Sequence, residues 1–187
     1  DTRGHGQTEA TAPPYSFDLL VEDVIALMDA LSIDKAHYVG LSLGGMTGLG
    51  LALGHADRLL SLAACDARAY AETEWAEAWN GRMATVREHG IEALVEPTLE
   101  RWFTEDCREN QPDMMDKVRG MIRQMSPEGY IGCALALQKL NYMPRLGEIT
   151  LPTLFMTGAS DRSTPPEAAR AMHEKVSGST CIIVDPA

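Results

Sequence analysis

Residues Gly40-Leu41-Ser42-Leu43-Gly44-Gly45 follow the apolar stretch His37-Tyr38-Val39 and precede an apolar run from Met46 to Leu53. Strand, serine-centred turn and buried helix, in that order, restrict the chain to a narrow set of folds. A serine at a sharp strand-to-helix turn is held in a strained backbone conformation with its hydroxyl exposed. Glycines two residues before and after it leave room for the crowded backbone. A glycine-rich turn can also contain a serine by chance. The order of the flanking elements favours the other reading, in which Ser42 is a nucleophile.

The rest of the chain extends this pattern. An apolar face at Phe17, Leu20, Val21, Val24, Ile25, Met28 and Leu31 predicts a helix, with Ser16 as its cap and Asp18 in its first turn. Residues 36–39 and 59–65 predict buried strands, and 43–54 a helix that is apolar nearly all round. From 70 to 146 strand character disappears. Helices are expected at 74–89, 91–102 with a bend at Pro97, 112–124 and 127–140, the last opened by Ser126 as cap and Pro127. Six of the ten methionines fall in this block. Most are expected to fill helix cores, and a minority to line a flexible apolar lid. Strand character returns at 153–157. A loop containing Gly158 and Asp161 follows, then a capping box at Thr164-Pro165-Pro166-Glu167 with its helix, and a last strand at 180–184.

Strand-helix alternation on both sides of a helical block predicts an α/β architecture. Its sheet is mainly parallel with helices on both faces, and the block is a cap above the strand ends where the serine turn sits. The expected organisation is core at 1–69, cap at 70–146 and core again at 147–187.

A serine hydroxyl needs a base, a carboxylate that orients the base, and donors for the oxyanion. Asp161 is the best carboxylate, because it follows a strand end in a short loop. It can also be read as a turn aspartate that bonds its local backbone. The order Ser42, Asp161, then a later histidine is that of the α/β-hydrolase triad. His5, His37, His55, His89 and His173 all precede the last strand, and each is read as structural.

The net charge of −11 opposes binding to nucleic acid or an anionic membrane. No apolar run is long enough to span a bilayer. Cys65, Cys107, Cys133 and Cys181 are widely spaced and lack zinc-ligand spacing, so buried free thiols in a reducing cytosol are expected, and no metal.

Asp1-Thr2-Arg3-Gly4-His5-Gly6, the serine turn and Gly158-Ala159-Ser160-Asp161 together resemble the α/β-hydrolases. Thr85-Val86-Arg87-Glu88-His89-Gly90, Glu100-Arg101-Trp102-Phe103-Thr104 and residues 126–133 resemble segments of the 3-oxoadipate enol-lactonases. The resemblance implies a cytoplasmic serine hydrolase of aromatic catabolism that opens an enol-lactone to 3-oxoadipate. Its substrate is a small lactone or ester, and it needs no metal or organic cofactor. Ser42 would attack, Asp161 would orient the histidine, and the Leu43 N–H would serve the oxyanion hole. Arg101 and Trp102 are candidates for holding the anionic substrate, with packing roles as the alternative. In that family the Asp-x-Arg-Gly-His-Gly segment follows the fourth strand, and a histidine follows the last. The fold is therefore expected to be incomplete here, the interior of a longer enzyme with the serine strand as an open sheet edge. A general carboxylesterase, another cap-bearing hydrolase and a non-catalytic remnant that binds a partner are the other readings. The oligomeric state is not legible.

Overall fold

A computed structural model describes all of residues 1–187. It divides into two units, one formed by 1–16 with 72–139 and the other by 17–71 with 140–187.

The second unit carries the sheet. Helix α1 (Phe17–Ala30) precedes β1 (Ala36–Leu41), α2 (Leu43–Gly54) and β2 (Leu59–Cys65). After residue 140 the chain adds a short 3-10 segment (Met143–Glu148), β3 (Thr153–Gly158), α8 (Pro166–Lys175) and β4 (Thr180–Val184). The four strands lie in the order β1-β2-β3-β4, and every neighbouring pair is parallel. Parallel pairing needs crossovers: α2 connects β1 to β2, α8 connects β3 to β4, and residues 66–152 connect β2 to β3. Flanked in this way by helices, the sheet buries Leu49, Leu51, Leu62, Phe155, Leu146 and Met172 almost completely.

Alternation along β1 sends Tyr38 toward α2 and sends Val39 and Leu41 the other way. Val39 is 74% and Leu41 66% exposed, and β1 ends the sheet on that side. Strand β1, expected to be buried, is therefore exposed on its Val39 and Leu41 face, and it runs to Leu41 rather than Val39.

The other unit is helical. It contains α3 (Thr73–His89), α4 (Val95–Trp102), α5 (Glu105–Asn110), α6 (Pro112–Arg123) and α7 (Pro127–Leu137). Ile122 of α6 packs with Val86, Ile91, Leu94 and Val95 in a small core. Met83 and Met115 are buried within the unit, whereas Met114 and Met121 are exposed. Residues 1–16, expected with the core, group with these helices. The reason is local to α7: Gly4 has a positive φ of 75°, and a Cβ on it would sit 2.3 Å from the Gly129 Cα. Backbone meets backbone there, and the Gly4 carbonyl accepts the Ser126 N–H at 3.1 Å.

Two helix expectations need correction. The break in 91–102 falls at Leu94, where a 3-10 turn (Ile91–Leu94) gives way to α4. Pro97 is the third residue of α4, where its missing N–H breaks no intrahelical bond. Helix α5 was not foreseen. It is one short turn, capped by the Thr104 hydroxyl accepting the Cys107 N–H. Ser126 does cap α7, accepting the Gly129 N–H at 3.2 Å, with Pro127 at the first helical position.

Candidate active site

Because the strands are parallel, the residues that follow β1, β2 and β3 emerge at one edge of the sheet. These are Ser42, Asp66 and the loop carrying Asp161.

Ser42 has φ 52° and ψ −115°, in the left-handed half of backbone space that a non-glycine residue rarely occupies. Three bonds fix the turn. The Ser42 N–H donates to the Cys65 carbonyl of β2 at 2.8 Å, and the Met46 N–H donates to the Ser42 carbonyl at 3.0 Å, opening α2. The Tyr38 hydroxyl donates to the Gly44 carbonyl at 3.1 Å. Ser42 is exposed, and its hydroxyl does not cap the helix it starts. Leu43 is the first residue of α2, so its N–H is one of those without an intrahelical acceptor.

The crowding at this turn differs from the expectation drawn from the motif. A Cβ on Gly40 would lie 2.3 Å from the Gly44 carbonyl group, and one on Gly45 would lie 2.9 Å from the Ala67 Cβ and 3.0 Å from the Gly40 oxygen. Gly44 has nothing within 4 Å. The close approach of strand to helix is made by Gly40 and Gly45.

Asp161 is held by its own loop. Its Oδ1 accepts the Ser163 N–H at 2.7 Å and the Thr164 N–H at 3.0 Å, and its Oδ2 accepts the Thr164 hydroxyl at 2.5 Å. The expected capping box does not form. The Thr164 hydroxyl is turned to Asp161, and the cap position of α8 is Pro165, with Pro166 opening the helix. The carboxylate thus has a fixed orientation and keeps acceptor capacity for a further donor.

Asp66 escaped the sequence reading. It lies directly after β2 with φ 44°, and its N–H donates to the Met156 carbonyl at 2.8 Å. Its Oδ1 accepts the Gly158 N–H at 3.2 Å, where the Asp161 loop begins. Arg68 donates to the Ser163 carbonyl at 2.8 Å within that loop. The only local signal was a carboxylate placed directly after a strand. Burial, and then Asp66, push the Cys65 thiol above its ordinary value.

One strand separates β1 from β3, which sets their axes about 10 Å apart. An imidazole hydrogen-bonded at both nitrogens can bridge side chains that reach inward from such strands. The sheet unit's own histidines lie elsewhere. His37 is at the start of β1 and pairs with the Ser61 hydroxyl at 2.7 Å. His55, at the end of α2, pairs with Glu22 at 3.1 Å. His173, in the last turn of α8, pairs with the Ser179 hydroxyl at 2.8 Å. His5 and His89 belong to the helical unit, His5 against the Arg3 carbonyl and His89 exposed beside Glu88.

Arg101 and Trp102 also belong to the helical unit, in the last turn of α4. Arg101 is half-buried and donates to the Thr98 hydroxyl at 3.0 Å, and Trp102 is 57% exposed. No group of three or more His, Cys, Asp or Glu side chains is placed to hold a metal ion, and no helix is long and apolar enough to cross a membrane.

A parallel sheet with a strained serine at one strand end and a fixed aspartate two strands away defines the class. The chain belongs to the α/β-hydrolase fold family, whose model matches residues 1–187. It is 35% identical to 3-oxoadipate enol-lactonase 2 of Acinetobacter baylyi over 185 residues, which cover 99% of this chain and 68% of that protein. The crystal structure of the enol-lactonase from Burkholderia xenovorans superposes with a TM-score of 0.95 at 35% identity, over 99% of this chain and 70% of that one. A hydrolase from Pseudomonas aeruginosa gives a TM-score of 0.95 at 29% identity, over 100% of this chain and 70% of that one.

Proposed function

We propose that Ser42 is the nucleophile of a carboxylic ester hydrolase that opens 3-oxoadipate enol-lactone to 3-oxoadipate. The observation that carries the reading is the left-handed Ser42, its hydroxyl exposed at the end of β1 and the N–H groups of α2 beside it. Identity of 31–35% to two enol-lactonases of Acinetobacter baylyi supports the substrate.

In this reading the Ser42 Oγ forms a bond to the lactone carbonyl carbon while its proton passes to a histidine base. The negative charge on the carbonyl oxygen meets the Leu43 N–H, at the positive end of α2. The ring C–O bond then breaks, and the departing enolate takes the proton and becomes the ketone. Water attacks the acyl-enzyme, releasing the carboxylic acid and restoring the Ser42 hydroxyl. Asp161 orients the base, a histidine that the triad order puts after β4. The chemistry asks for no cofactor, and the four free cysteines accord with a cytoplasmic setting.

The test is labelling by a fluorophosphonate, followed by hydrolysis of the enol-lactone and of 4-nitrophenyl acetate. Labelling confined to Ser42 and abolished in Ser42→Ala, with kcat/KM far higher for the lactone, is the expected result. Label elsewhere would overturn the mechanism. Better turnover of the simple ester would leave the nucleophile standing and make the enzyme a general carboxylesterase.

A further inference from the structure

Two half-buried arginines of the helical unit, Arg82 and Arg101, lie beside aromatic or hydroxyl groups and have no carboxylate partner. Arg58, Arg119, Arg123, Arg145 and Arg170 each pair with a carboxylate, at 2.7–3.3 Å. Arg82 and Arg101 do not, in a chain with 27 acidic residues. The Arg82 guanidinium carbon lies 4.4 Å from the centre of the Trp79 ring, one turn earlier on α3. Tyr130 of α7 meets the same ring at 6.1 Å, inclined at 53°, and Trp75 meets it edge-on at 5.7 Å. The Trp79 indole N–H is buried and has no hydrogen-bond partner. Arg101 has one hydroxyl, that of Thr98, for five donors.

Burial lowers the affinity of both guanidinium groups for their protons, and Arg82 adds to the effect at Arg101. Burial raises the Tyr130 phenol, and the two arginines oppose that shift. The three groups are therefore electrostatic neighbours. Two half-buried like charges beside one phenol, with no acid to neutralise them, destabilise the unit. They become favourable once an anion binds. The aromatic wall beside them suits a hydrocarbon body better than a bare inorganic ion.

We propose that Arg82, Arg101 and the Tyr130 hydroxyl form a binding site for a small organic carboxylate, with Trp79 as its apolar wall. Trp102, which is largely exposed, is not part of this site.

The test is calorimetric titration of the full chain with adipate, with adipamide and with inorganic phosphate. Adipate is expected to bind, and adipamide, which has the same skeleton without the charge, is not. Arg82→Gln and Arg101→Gln should each weaken adipate binding about tenfold or more, the scale of a lost charged hydrogen bond. Arg87→Gln, exposed on the same helix, should not. The melting temperatures of the two Gln variants should stay level or rise, since each removes an unpaired charge; a structural arginine would lower them. Arg82→Lys, which keeps the charge and loses the planar fork, should bind between wild type and Arg82→Gln. Undiminished adipate binding in both Gln variants would overturn the site, and so would equal binding of adipamide. Phosphate bound as tightly as adipate would overturn the carboxylate assignment. Fluorophosphonate labelling of Ser42 tests the hydrolase reading separately, and Ser42→Ala should bind adipate like wild type.

Discussion

Replacing Gly40 with alanine isolates what the serine turn demands of the backbone. A Cβ at Gly40 would lie 2.3 Å from the Gly44 carbonyl carbon and oxygen and 2.6 Å from the Gly45 nitrogen. Comfortable carbon contacts begin near ~3.5 Å, so strand and helix must part by about 1 Å. Overpacking typically costs ~1–3 kcal/mol where side chains can turn aside. Both partners here are backbone, and β1 is tied to β2 while α2 is buried, so a cost at the top of that range, about 3 kcal/mol, is expected. For a chain of this size that lowers the melting temperature by roughly 6–12 °C, at ~2–4 °C per kcal/mol. Gly44→Ala is the internal control. It is helical and has open space around it, so it should gain up to about 1 kcal/mol of helix propensity. Thermal and urea unfolding of the two variants beside wild type gives the comparison. A Gly40→Ala protein that melts with wild type would refute the steric reasoning. So would a Gly44→Ala protein destabilised as much as Gly40→Ala, since then the motif's glycines would matter for something other than room.

Ser42→Gly should raise unfolding free energy by about 1 kcal/mol, because glycine adopts the left-handed conformation without strain, and should abolish fluorophosphonate labelling; a less stable variant would show that Ser42 is not strained. Tyr142 packs edge-on against Phe17 at 5.7 Å, and its phenol is pushed up to about 12 by burial first and Asp18 second, with Arg145 opposing. An unfolded tyrosine titrates near ~10, so this contribution to stability is complete below pH 10 and is lost as pH rises toward 12. Unfolding free energy should therefore fall more steeply above pH 10 in wild type than in Tyr142→Phe, and parallel curves would sink the assignment.

The parts of this fold that could be read from the chain are those where two local signals coincide. Strand β2 was legible to the residue because an apolar run ends at a turn, and α2 because its first residue follows a serine that cannot continue the strand. The break before α4 was misplaced because Pro97 looks like a helix breaker at any position, while its effect depends on distance from a helix start that the chain does not mark. Thr164 carries the letters of a capping box, yet its hydroxyl has a stronger acceptor in the Asp161 carboxylate three residues back, and the charged acceptor wins. Asp66 was missed for a related reason: its partner is the Gly158 N–H, 92 residues away, and nothing near Asp66 in sequence indicates that pairing. The arginine pair extends the point. Nothing in the residues around Arg82 distinguishes it from Arg119, and both lie on helices in an acidic chain. Only the fold shows that Glu96 answers one of them while the other is left beside Arg101 and an aromatic wall. Local chemistry tells which residues can carry a charge or a strain. Which charges go unanswered is decided by tertiary packing, and an unanswered charge is what gives a ligand something to bind.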